Sequence, residues 1–472
     1  MEREIIQVEQ RVPILKGIPL SLQHLFAMFG ASILVPILFN QAAKTVVVDP
    51  ALVLLMNGIG TLIYIFICRG KAPAFLGSSF AFIAPTITCI TLAATPQLGF
   101  QHAVGGFVIA GFAFVVVSFI IRYAGRRWID IVLPPAAMGP IVALIGLELA
   151  PTATGMAFFK NGVMDGTTAA IALFTLVVVL VGSMVFRKFL AAIPVLIGVI
   201  AGYVLSAIIN IWVPGTLDFS AAQAAKIIAL PKFVLPVFDW ASILIILPAA
   251  LVVISEHIGH LFVTSNIVGR DLLKTPGLHN SLLADGVSTM LSGFTGSCPT
   301  TTYGENMGVM AITKVYSVWV IGGAAVISVV IAFFGQVSGV IRSIPSAVIG
   351  GVSIMLFGVI AASGIRMIVE AKVDYSKSRN LLLSAVVFIV GISGVPINIG
   401  QTQLKGMVLA TLVGILLSLV FWGFDQLRWS AESVEETVAA KTLPRPAARA
   451  RKSSAKKSVA KKAPVKRSPA RG

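Results

Sequence analysis

Two polar islands interrupt an otherwise apolar sequence: SEHIGH at residues 255–260, and GSCPTTTYGENMGVMAITK at residues 296–314. They carry two carboxylates, Glu256 and Glu305, and two imidazoles, His257 and His260. Glu256 and His260 are four residues apart and share one face of a helix, while His257 is turned about a quarter of a revolution away. A carboxylate accepts hydrogen bonds, and an imidazole titrates near neutral pH at a value that a carboxylate neighbour shifts. One face therefore offers an acceptor beside a proton carrier, which suits a proton relay through His260; His257 is read as structural.

Other chemistries need residues that are absent. A helical zinc site needs histidines at i and i+4 with a glutamate after the first, whereas the order here is Glu, His, x, x, His with a spacing of three. No Walker-type loop, Gly-rich dinucleotide fingerprint or Ser/His/Asp set is present. The chain reads as a non-enzyme that requires neither cofactor nor metal, and its energy source as an ion gradient, with protons the natural choice.

The elements that must position these groups are membrane spans. Of the 472 residues, 57% are hydrophobic and 12% charged, and the mean hydropathy is +0.94, too little polar surface for a soluble globule. Apolar runs long enough for a ~30 Å hydrocarbon core recur throughout, for example 51–68, 103–121 and 169–186. An ionisable group in such a segment costs at least ~2.5 kcal/mol and normally faces a polar cavity on a substrate or proton path. The opening MEREIIQVEQRVPILKG has no basic region followed by a cleavage site, so no signal peptide is expected. Cys68, Cys89 and Cys298 lie in or beside apolar runs and are expected to be buried thiols outside any disulfide framework.

About fourteen spans fit between residues 14 and 424, with a short cytoplasmic segment at 1–13. With the N-terminus inside, the cytoplasmic loops hold fourteen basic residues: Arg69, Lys71, Arg122, Arg126, Arg127, Arg187, Lys188, Arg270, Lys274, Lys314, Arg366, Lys372, Lys377 and Arg379. The outer loops hold six: Lys44, Lys160, Lys226, Lys232, Arg342 and Lys405. That bias predicts both termini in the cytoplasm of a multi-pass protein of the cell (inner) membrane. The net charge of +17 is concentrated in the tail, where residues 441–471 hold twelve Lys and Arg and no acid. Residues 425–472 are read as a disordered basic extension. It admits three roles: a solvated segment, adhesion to anionic lipid, or, with least logic here, nucleic-acid binding.

Two spans are broken in the same way. KAPAFLGSSFAFIAPTIT, residues 71–88, is interrupted by Pro73, Gly77 and Pro85, and GSCPTTTYGENMG by Gly296, Pro299, Gly304 and Gly308. Gly/Pro-broken segments at matching places in two halves point to inverted repeats with a substrate site near the midplane, where unwound backbone lines a cavity. Near the start, Gln23 and His24 form a further polar pair, read either as a brace to the broken helices or as a ligand contact.

The segment ENMGVMAITK, from Glu305 to Lys314, resembles the signature of the nucleobase-ascorbate transporter family. PLSLQHLFAMFGASILVP, YIFICRGKAPAFLGSSFAFI, LPPAAMGPIVALIGLELA and SEHIGHLFVTSNIVGRDL are similar to stretches of its bacterial uracil permeases. The resemblance covers roughly residues 14–419 and excludes the tail. It implies an all-α fold of fourteen spans in two inverted seven-span repeats, split into core and gate domains, with short strands in the two broken segments and often a gate-mediated homodimer. It implies uracil as substrate, with Glu256 accepting ring N–H bonds, the backbone N–H groups of Phe80 and Gly304 meeting the carbonyls, Glu305 completing the site, and His260 in proton coupling. Phe80 or Tyr303 would supply a flat wall. One departure stands out: Phe357, in SIMLFGVIAASG, replaces the Tyr of similar permeases and removes a hydroxyl facing the core domain. The expected function is proton-coupled import by alternating access. Open alternatives are another nucleobase such as xanthine or thymine, and a non-transporting membrane scaffold; an anion exchanger is disfavoured by Glu256 and Glu305.

Overall fold

The computed structural model describes residues 5–187, 189–399, 402–427 and 429. Lys188 and the tail from residue 430 onward lie outside them. A large compact unit runs to Gly423 and a short second one begins at Phe424, where the rings of Phe424 and Trp429 meet at 6.2 Å.

In chain order the elements are α1 (Ile14–Ala43), α2 (Pro50–Ile67), β1 (Leu76–Ser78), α3 (Ile83–Leu92), α4 (Pro96–Ala124), α5 (Arg127–Val132), α6 (Pro135–Phe158), β2 (Phe159–Lys160), β3 (Val163–Met164), α7 (Gly166–Val185), α8 (Pro194–Ile209) and α9 (Ser220–Gln223). The second half holds α10 (Trp240–Val268), α11 (Leu278–Thr295), β4 (Thr300–Thr302), α12 (Gly304–Thr313), α13 (Val318–Ala332), α14 (Gly335–Ser343), α15 (Ser346–Glu370), α16 (Ser378–Ile392), β5 (Ile397–Ile399), β6 (Thr402–Leu404) and α17 (Gly406–Gln426). Eight helices are long and apolar enough to span a membrane: α1, α2, α4, α6, α7, α10, α15 and α17. Four shorter apolar segments, α3 with its leading turn, α8, α13 and α16, join them. The more polar α11 and α12 lie between α10 and α13 in the chain.

The helices open slightly upstream of the apolar runs because their caps lie there. The Asp49 carboxylate accepts from Ala51 N–H ahead of α2, Thr95 from Leu98 N–H ahead of α4, and Asp165 from Thr168 N–H ahead of α7. Each satisfies a backbone donor that the first helical turn leaves orphaned.

Packing repeats between the halves. α2 lies on α13 and α4 on α11; α1 lies on α13 and α10 on α4; α6 meets α16 and α7 meets α15. Exchanging α1 with α10, α2 with α11, α4 with α13, α6 with α15 and α7 with α16 maps each contact onto its counterpart. Helices α1–α4 and α10–α13 form one group and α6–α8 with α15–α17 the other, the core and gate of an inverted-repeat transporter fold. Within the gate, α6 and α15 touch backbone to backbone: a Cβ added at Gly146 would strike the Phe357 carbonyl, and one at Gly364 the Ala143 amide. Small residues allow such approach where burial of apolar surface gives no drive against lipid. The three thiols are free and buried.

Candidate functional site

The two broken segments meet. β1 pairs antiparallel with β4, Leu76 opposite Thr302, Gly77 opposite Thr301 and Ser78 opposite Thr300. The ladder extends by Ser79 N–H to Pro299 O at 2.8 Å and Tyr303 N–H to Phe75 O at 3.1 Å. The next residues in each strand direction are Phe80 and Gly304, which open the helical turns leading into α3 and α12. N–H groups there have no partner inside their own helix, so two half-helix starts, each with a positive dipole end, arise side by side. Neighbours hold this cross in place: Thr61 Oγ1 accepts from Leu76 N–H at 2.9 Å, and Thr289 Oγ1 donates to Thr300 O at 2.8 Å.

The Tyr303 hydroxyl donates to Ser78 O at 2.8 Å, and its ring lies where a Cβ on Gly77 would sit, so that position accepts only glycine without rearrangement. The tyrosine therefore spends its polar end on the strand pair and presents its ring, which stacks with Phe80 at 6.4 Å between centroids and 25° between planes. Phe357 of α15 meets Phe80 edge-on at 6.4 Å and 81°. The hydroxyl missing at Phe357 is thus replaced by an aromatic contact between gate and core.

Glu256 and His260 share the inner face of α10, with Glu256 Oε1 3.9 Å from His260 Nε2. Both remain partly exposed, at 23% and 21% of the side chain. His260 Nδ1 lies 3.1 Å from Thr302 Oγ1 in β4, so Nε2 is the nitrogen left toward Glu256 and the start of α12, where a Cβ on Gly304 would lie 3.8 Å from it. Glu305, in the first turn of α12, is within electrostatic reach of Glu256. Phe80, Glu256, His260, Tyr303, Gly304 and Glu305 are thus gathered around one junction of α10 with the two broken segments.

Behind it lies a layer that the sequence reading missed. His257 and Asp285 of α11 are fully buried, with Nδ1 3.0 Å from Oδ2, and His257 Nε2 lies 2.7 Å from Ser281 Oγ, itself 2.6 Å from the Tyr64 hydroxyl. The Nδ1 contact lacks hydrogen-bond angles, leaving both Asp285 oxygens without a donor among the described residues. His257 is therefore a structural residue that also stands beside a buried carboxylate. Asp285 was findable by the rule that singled out Glu256, a carboxylate inside a membrane helix, and so was Glu148 in α6. Gln23 and His24 are buried, and His24 Nδ1 lies 2.7 Å from Asn306 Oδ1, a contact that braces α1 to the second broken segment. A cavity of about 10 Å³ lies among His257, His260, Thr302 and Asn306. It suits at most one water and excludes a planar ring.

A family model described as the permease family matches residues 15–399. The chain belongs to this family, the nucleobase-ascorbate transporters. Among these transporters, a uracil permease of Paenibacillus larvae is 53% identical over 438 residues, covering 92% of this chain and all of that one. A uracil permease of Escherichia coli K12 is 54% identical over 431 residues, covering 91% and 96%. A solved structure of the transmembrane domain of a cyanobacterial bicarbonate transporter, BicA, aligns with a TM-score of 0.60 at 16% identity, covering 88% of this chain and all of that one. That likeness speaks for the fold alone. Permeases are transporters, and this one is a multi-pass membrane protein.

Proposed function

We propose that this permease imports uracil together with protons by alternating access, the α1–α4 and α10–α13 group moving against the α6–α8 and α15–α17 group. The observation that carries the reading is the junction itself: a carboxylate acceptor at Glu256, the first backbone N–H groups of two half-helices at Phe80 and Gly304, and stacked rings at Phe80 and Tyr303. Uracil presents ring N–H donors, carbonyl acceptors and a flat face, one match for each. Glu305 completes the polar edge. The likeness to proteins named uracil permeases supports the choice of nucleobase.

Coupling works through His260. With Nδ1 engaged by Thr302, Nε2 faces Glu256, and a proton held between them removes the repulsion that an ionised carboxylate would exert on the substrate carbonyls. Loss of the proton to the inside then weakens substrate binding and favours release. Both termini are assigned to the cytoplasm of the cell (inner) membrane, the assembly to a homodimer through the gate, and residues 425–472 to a basic tail available to anionic lipid.

The test is uptake of radiolabelled uracil into proteoliposomes under an inward proton gradient, for the native chain and Glu256→Gln, with xanthine and thymine as competitors. Gradient-driven uptake that Glu256→Gln abolishes and xanthine leaves unchanged is expected. Uptake indifferent to the gradient removes the coupling, and competition by xanthine or thymine moves the substrate assignment to another nucleobase.

A further inference from the structure

A second basin lies outside the transport site, on the face that carries the loop after α2, the end of α4 and the loop before α11. It encloses about 220 Å³ and is lined by Arg69, Lys71, Arg122, Lys274, His279 and Asn280. No carboxylate takes part in the lining. Asp271 pairs with Lys274 at 3.3 Å, but that lysine is 85% exposed at the rim. Among the described residues Arg69, Lys71 and Arg122 have no carboxylate within ion-pair distance.

The walls are built to stay together. Ser118 Oγ of α4 donates to His279 O at 2.8 Å, fixing the first turn of α11 against the end of α4 beside Arg122. Asn280 Nδ2 donates to Pro276 O at 2.8 Å and ties that turn to the preceding loop. Arg69 is held at φ 55°, uncommon for a residue with a side chain, by its amide on Phe66 O. His279 and Asn280 belong to the opening turn of α11, so the positive end of that helix adds to the field. Three cations without a carboxylate partner, Arg69, Lys71 and Arg122, repel one another there unless an anion joins them.

We propose that this basin binds a phosphate-bearing anion. Two guanidinium forks and the Lys71 ammonium, with Lys274 at the rim, offer more donors than one carboxylate can accept, and a phosphate monoester carries close to two negative charges with three terminal oxygens. The same chemistry is presented by a free phosphate compound and by the headgroup of an anionic phospholipid. The assignment is independent of the transported substrate.

The experiment uses the full chain, purified and delipidated in uncharged detergent, with binding and melting temperature followed at constant ionic strength. One arm adds inorganic phosphate or adenosine monophosphate; the other compares phosphatidylcholine nanodiscs with and without phosphatidylglycerol. Binding with a raised melting temperature in the first arm assigns a free phosphate compound, and in the second arm alone a lipid headgroup; either supports the site. Affinity falls roughly tenfold for each of Arg69→Gln and Arg122→Gln, the size of one charge-assisted hydrogen bond. Arg122→Lys and the rim variant Lys274→Gln retain measurable binding, and Lys232→Gln on another loop has no effect. No response in either arm, or a response that the arginine substitutions leave unchanged, overturns the proposal.

Discussion

Phe357 on α15 and Phe80 at the opening of the first half-helix stand edge to face, 6.4 Å between centroids and 81° between planes, with Phe357 buried at 2% exposure. The contact joins the gate to the ring that stacks on Tyr303. An aromatic pair of this geometry is worth ~0.5–1.5 kcal/mol beyond its area. Phe357→Ala is therefore expected to weaken uracil binding by up to about tenfold, read by equilibrium binding to the purified permease. Phe357→Leu, which fills much of the space without the ring edge, should lose a similar share of affinity while keeping its melting temperature. Unchanged affinity in both variants would separate Phe357 from the site.

His257 and Asp285 form a buried pair whose carboxylate has no other donor among the described residues. Breaking a buried pair by removing one partner costs ~3–5 kcal/mol because the other is stranded. Asp285→Ala and His257→Ala should each lower the melting temperature markedly, and the double variant should cost much less than the sum. Additive losses in that cycle would mean that the 3.0 Å contact carries no coupling.

How far the sequence could be read follows from the same residues. The two broken segments were visible because Gly and Pro mark unwound backbone, and β1 and β4 sit within them. Glu256 and His260 were visible through their i, i+4 spacing, and the α10 geometry keeps them 3.9 Å apart. Asp285 could be found only once α11 is counted as a span: the helix is rich in Ser, Thr and Gly, and hydropathy does not mark it, so the rule for carboxylates in membrane helices was not applied to it. The His24–Asn306 contact spans 282 positions, and the choice between brace and ligand contact needed the tertiary fold. The aromatic role of Phe357 was likewise illegible, because loss of a hydroxyl says what is missing and not which ring lies opposite.

Outside the spans, Arg270 holds Glu9 by two hydrogen bonds of 2.6 and 2.7 Å. That contact sets the Glu9 carboxyl below its ordinary value of 4.5. A depressed carboxylate contributes stability above its unfolded value and loses it as pH falls through the folded one. The pair is about half exposed, so screening limits it to ~1 kcal/mol or less. Arg270→Gln should therefore produce a small drop in melting temperature at pH 7 that shrinks once the pH falls well below 4.5, and that also shrinks in high salt. A difference that grows on acidification would contradict the sign.

Glu148 presents the last case, a carboxylate inside α6 that serves a helix end. Its Oε2 accepts from Met407 N–H at 2.9 Å, at the start of α17, and its carboxyl fills the place where a Cβ on Gly406 would stand. Gly406 has φ 57°, so glycine is required there both for conformation and for room. A carboxyl oxygen at a helix N-terminus satisfies an orphan donor. Glu148→Gln retains an acceptor and should shift the melting temperature only slightly, whereas Glu148→Ala strands the Met407 amide at a cost of ~1–3 kcal/mol. Because Glu148 lies on a gate helix and touches none of Phe80, Glu256 or Tyr303, uracil affinity should be preserved in both variants. Uptake should fall with Glu148→Ala through loss of folded protein, so uptake normalised to monodisperse permease is the decisive reading, and a normalised loss would assign Glu148 a part in the movement of the gate.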